Sequence, residues 1–237
     1  MRICILETDT YADLPFDEAE TISEMFQSWL SPSLSEAKWS SVAVHDGEAL
    51  PDPQLYQGYL ITGSRYGVYD DLPWMAPLSE FIRDLKTLEI PVIGVCFGHQ
   101  IMAHAFGGRV EKSDAGWVLG AETYGDQTAF AMHQDQVLDV PPCASTVVGS
   151  ARCGIAQIEY EFPAMSVQYH PEFSAAFMAS LLDLYGNDEI HPKLIEAARA
   201  TLRDQTHVES IADDFAQFFR AHQRAKTPAQ PEASQLF

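Results

Sequence analysis

The sequence predicts an α/β protein: a mostly parallel sheet flanked by helices, with added β-strands and a C-terminal helical appendage. Three observations carry this. Short apolar runs alternate with amphipathic helical patterns over roughly the first hundred residues. From about 109 to 170 β-rich stretches crowd together with turn residues between them, and after 173 helical periodicity takes over.

In chain order, residues 2–6 (RICIL) read as a short buried strand. Ile22, Met25, Phe26, Trp29 and Leu30 then fall at i, i+3, i+4, i+7 and i+8, which is one face of a helix. A strand is expected around 42–45, another at 58–62 (GYLIT) and a third at 91–95 (PVIGV). Between the last two, Leu78, Phe81, Ile82, Leu85 and Leu88 repeat the helical spacing. Strands alternating with helices argue for parallel pairing with both sheet faces covered. Five stretches, 117–125, 128–134, 145–151, 155–160 and 164–170, then suggest a mixed or antiparallel addition to that sheet. Helices are expected at 173–185, stopped near Gly186, and at 191–203 and 207–222. In the last, Val208, Ile211, Ala212, Phe215, Phe218 and Phe219 line one face, which must pack on the body or on a partner. The tail from Ala225 onward is expected to be disordered.

Composition narrows the function classes. The 237 residues include 46% hydrophobic ones, enough for a sizeable core, and 14 basic against 34 acidic side chains give a formal charge of −20. Such a surface repels a polyphosphate backbone, and no basic stripe relieves it, so nucleic-acid binding is not expected. No apolar stretch reaches the ~18–20 residues of a membrane span. The start, MRICILETD, has the form of neither a signal peptide nor an anchor, which sets the expectation of a cytoplasmic protein. Cys4, Cys96, Cys143 and Cys153 are too few and too scattered for a disulfide framework and form no C-x-x-C pair. Three of them read as small buried apolar residues.

Cys96 does not. In GVCFGHQ (94–100) an apolar strand runs into Cys96 with Gly94 two before it and Gly98 two after it, followed by a helical pattern. Gly-x-Cys-x-Gly has the form of a nucleophile elbow: small residues at those offsets permit a sharp strand-to-helix turn that lifts the side chain into a cleft. The helix N-terminus would favour thiolate there. A thiol nucleophile needs a base and a group that orients the base. QYHPE (168–172), at the end of an expected strand, offers His170 and Glu172 on either side of a proline.

Together these motifs resemble the class I (triad) glutamine amidotransferases, in particular stand-alone members such as the γ-glutamyl peptidases and the glutaminase domain of GMP synthase. The resemblance extends to 58–71 (GYLITGSRYGVYDD), 116–120 (GWVLG) and 133–137 (HQDQV), and so covers about residues 1–175. It implies a flavodoxin-like sheet and a domain over 1–186, followed by a helical extension over 187–224 and the tail at 225–237. It implies Cys96 as nucleophile, His170 as general base and then acid, and Glu172 as the group orienting His170. It further implies an oxyanion hole from the backbone N–H groups of Phe97 and of the turn at Gly63-Ser64. Gly63, Gln100 and His133 would contact the substrate, and no cofactor or metal is called for. The chain departs from the Gly-Gly-Pro of many ammonia-supplying members by carrying Gly63-Ser64-Arg65, which is closer to the γ-glutamyl peptidases. Arg65 is either a solvated surface side chain or a partner for a substrate carboxylate.

Other candidates are weaker. His99 and His104 are five apart and do not share a helix face as an i, i+4 metal pair would. His191, His207 and His222 lie in polar helical sequence and read as surface residues. The expected activity is a thiol amidase that cleaves the γ-amide of glutamine or of a γ-glutamyl compound through a γ-glutamyl thioester. Some 65 residues follow Glu172, too few for a nucleotide-activating synthetase domain. The alternatives are therefore a glutaminase subunit supplying ammonia to a separate synthetase partner, or a relic that binds a metabolite or partner without turnover.

Overall fold

The computed structural model describes residues 1–12, 21–186 and 190–223, so the tail expected at 225–237 lies outside the described residues. Strand and helix alternate through β1 (Arg2–Glu7), α1 (Ile22–Leu30), β2 (Lys38–Ala43), β3 (Gly58–Ile61), α2 (Met75–Thr87), β4 (Val92–Val95) and α3 (Phe97–Ala105). Seven strands follow: β5 (Arg109–Lys112), β6 (Val118–Tyr124), β7 (Gln127–His133), β8 (Asp135–Asp139), β9 (Ala144–Val148), β10 (Gln157–Tyr160) and β11 (Ala164–Val167). Helices α4 (Ala175–Tyr185), α5 (Pro192–Ala200) and α6 (Val208–Ala221) complete the described chain.

The central sheet has the order β2-β1-β3-β4-β11-β10-β9. Its first five strands are parallel, and β10 and β9 extend it antiparallel at one edge. Two antiparallel ribbons, β5 with β8 and β6 with β7, stand apart from it. The period-2 alternation of strand side chains sorts the core into two layers. Cys4, Leu6, Tyr59, Ile61 and Val92 meet α2 and α3 on one face. Ile3, Ile5, Leu60, Ile93 and Val95 meet α1 and α6 on the other. Helix α1 starts on a capping box in which the Thr21 hydroxyl accepts from the Glu24 N–H and the Glu24 carboxylate accepts from the Thr21 N–H.

The structure departs from the expected pattern in three places. Strand β2 begins at Lys38 rather than 42, and His45 sits in a 3-10 turn. This is an edge strand, whose polar KWSSVA sequence hides the pairing. Strands β5 and β8 (RVEK and DQVLD) were not expected, because neither carries an apolar run. Finally, α6 is part of the core and does not hang off it. Ile211, Phe215 and Phe219 are at most 1% exposed. A Cβ on Gly58 would lie 2.7 Å from the Phe219 ring, so the first residue of β3 is a glycine because α6 crosses it. Trp29 Nε1 donates to the Val208 carbonyl at 2.9 Å, and Arg220 pairs with Glu36. Helices α4 and α5 instead cover β6, through Leu119, Met178, Leu182, Ile195 and Ala198. No helix among the described residues is long and apolar enough to cross a membrane.

His99 has a structural task. Fully buried on α3, it joins the Ser166 hydroxyl on β11 (Nδ1, 2.8 Å) to the Ile155 carbonyl (Nε2, 3.1 Å). Burial pushes its pKa down to about 4 against the opposing effect of these two bonds. Between pH 6.5 and 4 the unfolded chain therefore binds a proton that the fold refuses, and stability present above 6.5 is lost as pH falls through that window. Urea unfolding at pH 7.5 and pH 5 should differ by about 2 kcal/mol from this group. His99→Gln should flatten that part of the profile; an unchanged slope would assign it elsewhere.

Candidate active site

The carboxyl ends of parallel strands in an open α/β sheet converge on one edge, where ligands bind. Four of them do so here: Thr8-Asp9 follow β1, Gly63-Ser64-Arg65 follow β3, Cys96 follows β4, and Gln168 to Glu172 follow β11. They border a cavity of about 470 Å³ lined by Cys96, His170, Ser64, Gln100, His133 and Asp135, among others.

Cys96 occupies the single residue between β4 and α3, with φ 54° and ψ −103°, a conformation that disfavours any side chain. Three backbone bonds hold it there. Cys96 N–H donates to the Val167 carbonyl at 2.8 Å, Gly98 N–H to Thr62 at 3.0 Å and Gln100 N–H to Cys96 at 3.1 Å. The flanking glycines permit the turn by their size. A Cβ on Gly94 would lie 2.5 Å from the Gly98 carbonyl group, and one on Gly98 would collide with the Ile61 carbonyl oxygen. Helix α3 therefore rests backbone to backbone on β3 and β4. Phe97 is its first residue, where N–H groups lack intrahelical partners and the helix dipole is positive.

The His170 side chain lines the cavity together with that of Cys96, and its Nδ1 lies 2.7 Å from Glu172 Oε1. Its backbone N–H donates to the Phe130 carbonyl of β7 at 2.7 Å, and its ring stacks on Phe173 with centroids 4.0 Å apart. On the Cys96 side stands Gly63, whose Cβ, if present, would lie 2.9 Å from His170 Cε1. The imidazole is thus wedged in one orientation. Burial pulls its pKa down, but the charges of Cys96 and Glu172 and the hydrogen bond to Glu172 outweigh that and raise it. Glu172 Oε2 is buried with no partner among the described residues.

Gln100 is buried, and its Nε2 donates to the Asp135 carbonyl at 3.0 Å and to Gln168 Oε1 at 3.2 Å. Gln168 in turn directs Nε2 at the Cys96 sulfur, 3.7 Å away. His133 is neutral: burial lowers its pKa to about 3, and nearby His170 and His99 push the same way. With Nδ1 3.0 Å from the Asp135 carbonyl, the ring proton sits on Nδ1. Nε2 is left as a buried acceptor with no partner among the described residues. The Asp135 carboxyl accepts from the Tyr69 hydroxyl at 2.8 Å, and burial raises its pKa.

Arg65 is exposed, as a surface side chain would be, and it borders the cavity. Its side chain is paired with Asp9, buried at 4% exposure. Burial pushes Cys4, aided by Glu48, and Cys153 up to about 12. His191 is exposed and caps α5, and His207 accepts from the Thr128 N–H, so neither belongs to the cavity. Among the described residues no cluster of His, Cys, Asp and Glu is arranged to hold a metal.

The sequence reasoning missed Thr8, Asp9 and Gln168. Gln168 carried a signal, because it is two residues before His170 and shares its side of the strand. Thr8 and Asp9 lie just past the end of an expected parallel strand, which is where such sheets place their ligand contacts.

Solved structures show the fold. A glutamine amidotransferase from Methylobacillus flagellatus superposes with a TM-score of 0.73 at 20% identity, over 96% of this chain and 98% of that one. One from Thermotoga maritima does so with 0.69 at 20% identity, over 93% and 97%. Gamma-glutamyl peptidase 4 of Arabidopsis thaliana is 27% identical over 186 residues, 70% of this chain and 74% of that protein. The matching component of the glutamine-hydrolysing GMP synthase of Methanopyrus kandleri is 34% identical over 112 residues, 39% of this chain and 57% of its own. The model of the class-I glutamine amidotransferase family matches residues 54–181, more than half of the chain, and the chain belongs to that family.

Proposed function

We propose that the protein is a thiol amidase that cleaves γ-glutamyl amides with Cys96 as nucleophile. One observation carries the reading: a cysteine held in a strained elbow and a histidine that a buried carboxylate orients line the same cavity, either side of Gly63. His170 takes the thiol proton as the sulfur adds to the γ-carbonyl carbon, and the oxygen gains negative charge beside the Phe97 and Ser64 N–H groups. Each such donor contributes about 2.7–4 kcal/mol to the transition state. As the tetrahedral adduct collapses, the C–N bond breaks and His170 returns the proton to the leaving nitrogen. The γ-glutamyl thioester remains. A water, deprotonated by His170, then attacks the thioester carbonyl and releases glutamate and the thiol. Glu172 keeps the imidazole in the tautomer and orientation both steps need. Gly63, Gln100 and His133 contact the glutamyl group, His133 Nε2 accepting from a substrate N–H.

Cavity size favours a leaving amine larger than ammonia. Glutamine needs roughly 150 Å³ at protein packing density, about a third of the space present. The similarity to a γ-glutamyl peptidase points the same way. Purified protein incubated with glutamine and with a panel of γ-glutamyl peptides should release glutamate faster from at least one peptide than from glutamine. Preference for glutamine would overturn the choice of leaving group. The second reading, a glutaminase that serves a separate synthetase, draws on the similarity to the GMP synthase component. It predicts a dormant protein whose Cys96 still reacts with a glutamine-mimicking electrophile and which wakes when a synthetase is added.

A further inference from the structure

The turn at 63–65 carries one of the two oxyanion donors, yet it lies in neither a strand nor a helix, and Gly-Ser-Arg has no intrinsic stiffness. The end of β1 holds it in place. Thr8 Oγ1 donates to the Gly63 carbonyl at 2.9 Å, and Thr8 N–H donates to the Thr62 hydroxyl at 3.0 Å. Asp9 then takes hold of the next residues. Its Oδ2 accepts from the Arg65 backbone N–H at 2.7 Å, and Arg65 Nε reaches both carboxylate oxygens at 3.1 and 3.0 Å. Arg65 Nη2 extends past it to the Thr10 carbonyl at 2.6 Å, and Thr10 N–H donates back to Asp9 Oδ1 at 2.7 Å. A buried carboxylate thus bonds the backbone and the side chain of one residue at once, immediately after Ser64. Bonds to a charged acceptor are among the stronger ones, and holding a residue by backbone and side chain together fixes direction as well as distance.

We propose that Asp9 is a positioning residue for the reaction: through the Arg65 N–H and guanidinium it fixes the Gly63-Ser64 turn so that the Ser64 N–H faces the oxyanion. The proposal rests on the acyl-transfer reading above. Asp9 acts only through Arg65, and its effect belongs to the step in which charge develops on the carbonyl oxygen. Alkylation of Cys96 by iodoacetamide develops no oxyanion. It reports on the sulfur and His170 alone, which separates the brace from the triad.

Loss of a whole oxyanion donor lowers kcat about 10²–10³-fold. Asp9→Ala, which leaves the donor present but unbraced, should lower kcat about 10–100-fold, with KM and the Cys96 alkylation rate within about twofold of wild type. Arg65→Met keeps the backbone bond to Asp9 and should lose less, about 3–10-fold. Amide exchange over 63–66 should quicken at least about tenfold in Asp9→Ala while exchange over 97–100 is unchanged. Wild-type kcat and exchange in Asp9→Ala would overturn the proposal. So would a loss of alkylation in proportion to turnover, which would mean that the whole site had moved. Asp9→Asn is read in the same way if Asp9→Ala does not fold. Should the wild type hydrolyse nothing, the acyl-transfer reading fails, and exchange over 63–66 still decides whether Asp9 holds the turn.

Discussion

Cys96→Ala reduces glutamate release from any γ-glutamyl substrate by on the order of 10⁵-fold, to the level that binding and the oxyanion donors sustain without a nucleophile. In the proposed triad the members act as one unit, so adding His170→Ala to this variant should cost almost nothing further. Additive losses would mean that His170 serves another step. The backbone supplies a second readout. Its φ of 54° penalises Ala as it does Cys, whereas Gly accepts it. Cys96→Gly should therefore be inactive yet about 1–2 kcal/mol more stable to urea than Cys96→Ala. Equal stability of the two would show that the elbow stores no strain.

Gly98→Ala should be strongly damaging for a single added methyl. The added Cβ meets the Ile61 carbonyl oxygen, which is backbone, and so it cannot be relieved by a rotamer change. Helix α3 would have to lift off β3, breaking the bond from Gly98 N–H to Thr62 and moving the Phe97 N–H with it. A stability loss of about 3 kcal/mol or more is expected, together with a drop in kcat that exceeds any rise in KM. Gly116→Ala is the control. No atom lies within 4 Å of its would-be Cβ, so only the cost of its positive φ of 83° remains. Similar losses in the two variants would sink the close-packing account. They are separated by comparing urea midpoints and by hydrolysis assays on the folded fraction.

What was legible in the sequence was what is local. The elbow is contiguous, and Gly94, Cys96 and Gly98 state its geometry at fixed offsets. The two Cβ collisions are the physical reason for those offsets. His170 and Glu172 were legible because a proline holds them at the end of one strand. The alternation of apolar runs and amphipathic helices similarly announced a doubly covered parallel sheet. What could not be read were partnerships across the sheet. Asp9 meets Arg65 only because β1 and β3 are neighbours, and that order is not written in either segment. The apolar face of α6 was plain in its spacing, but a face does not name what it covers. The glycine that receives Phe219 stands in β3, more than 150 positions earlier. Strands β5 and β8 pair through backbone and charge, as Arg109 does with Asp139, so hydropathy is silent there.

The separate origins of these residues have a consequence for how such a protein diversifies. Each of the proposed roles issues from a different strand end: the brace from β1, the oxyanion turn from β3, the nucleophile from β4 and the base from β11. Each of those strands is anchored by its own alternating contribution to the two core layers. Insertions or rewritten loops between any two of these strands alter the walls of the cavity while leaving the other roles in register. Of the cavity's walls, Phe173 and Leu181 are exceptions, because they line it and belong to the core as well. Under the proposed activity, changes confined to these loops would exchange one leaving amine for another with the central sheet intact.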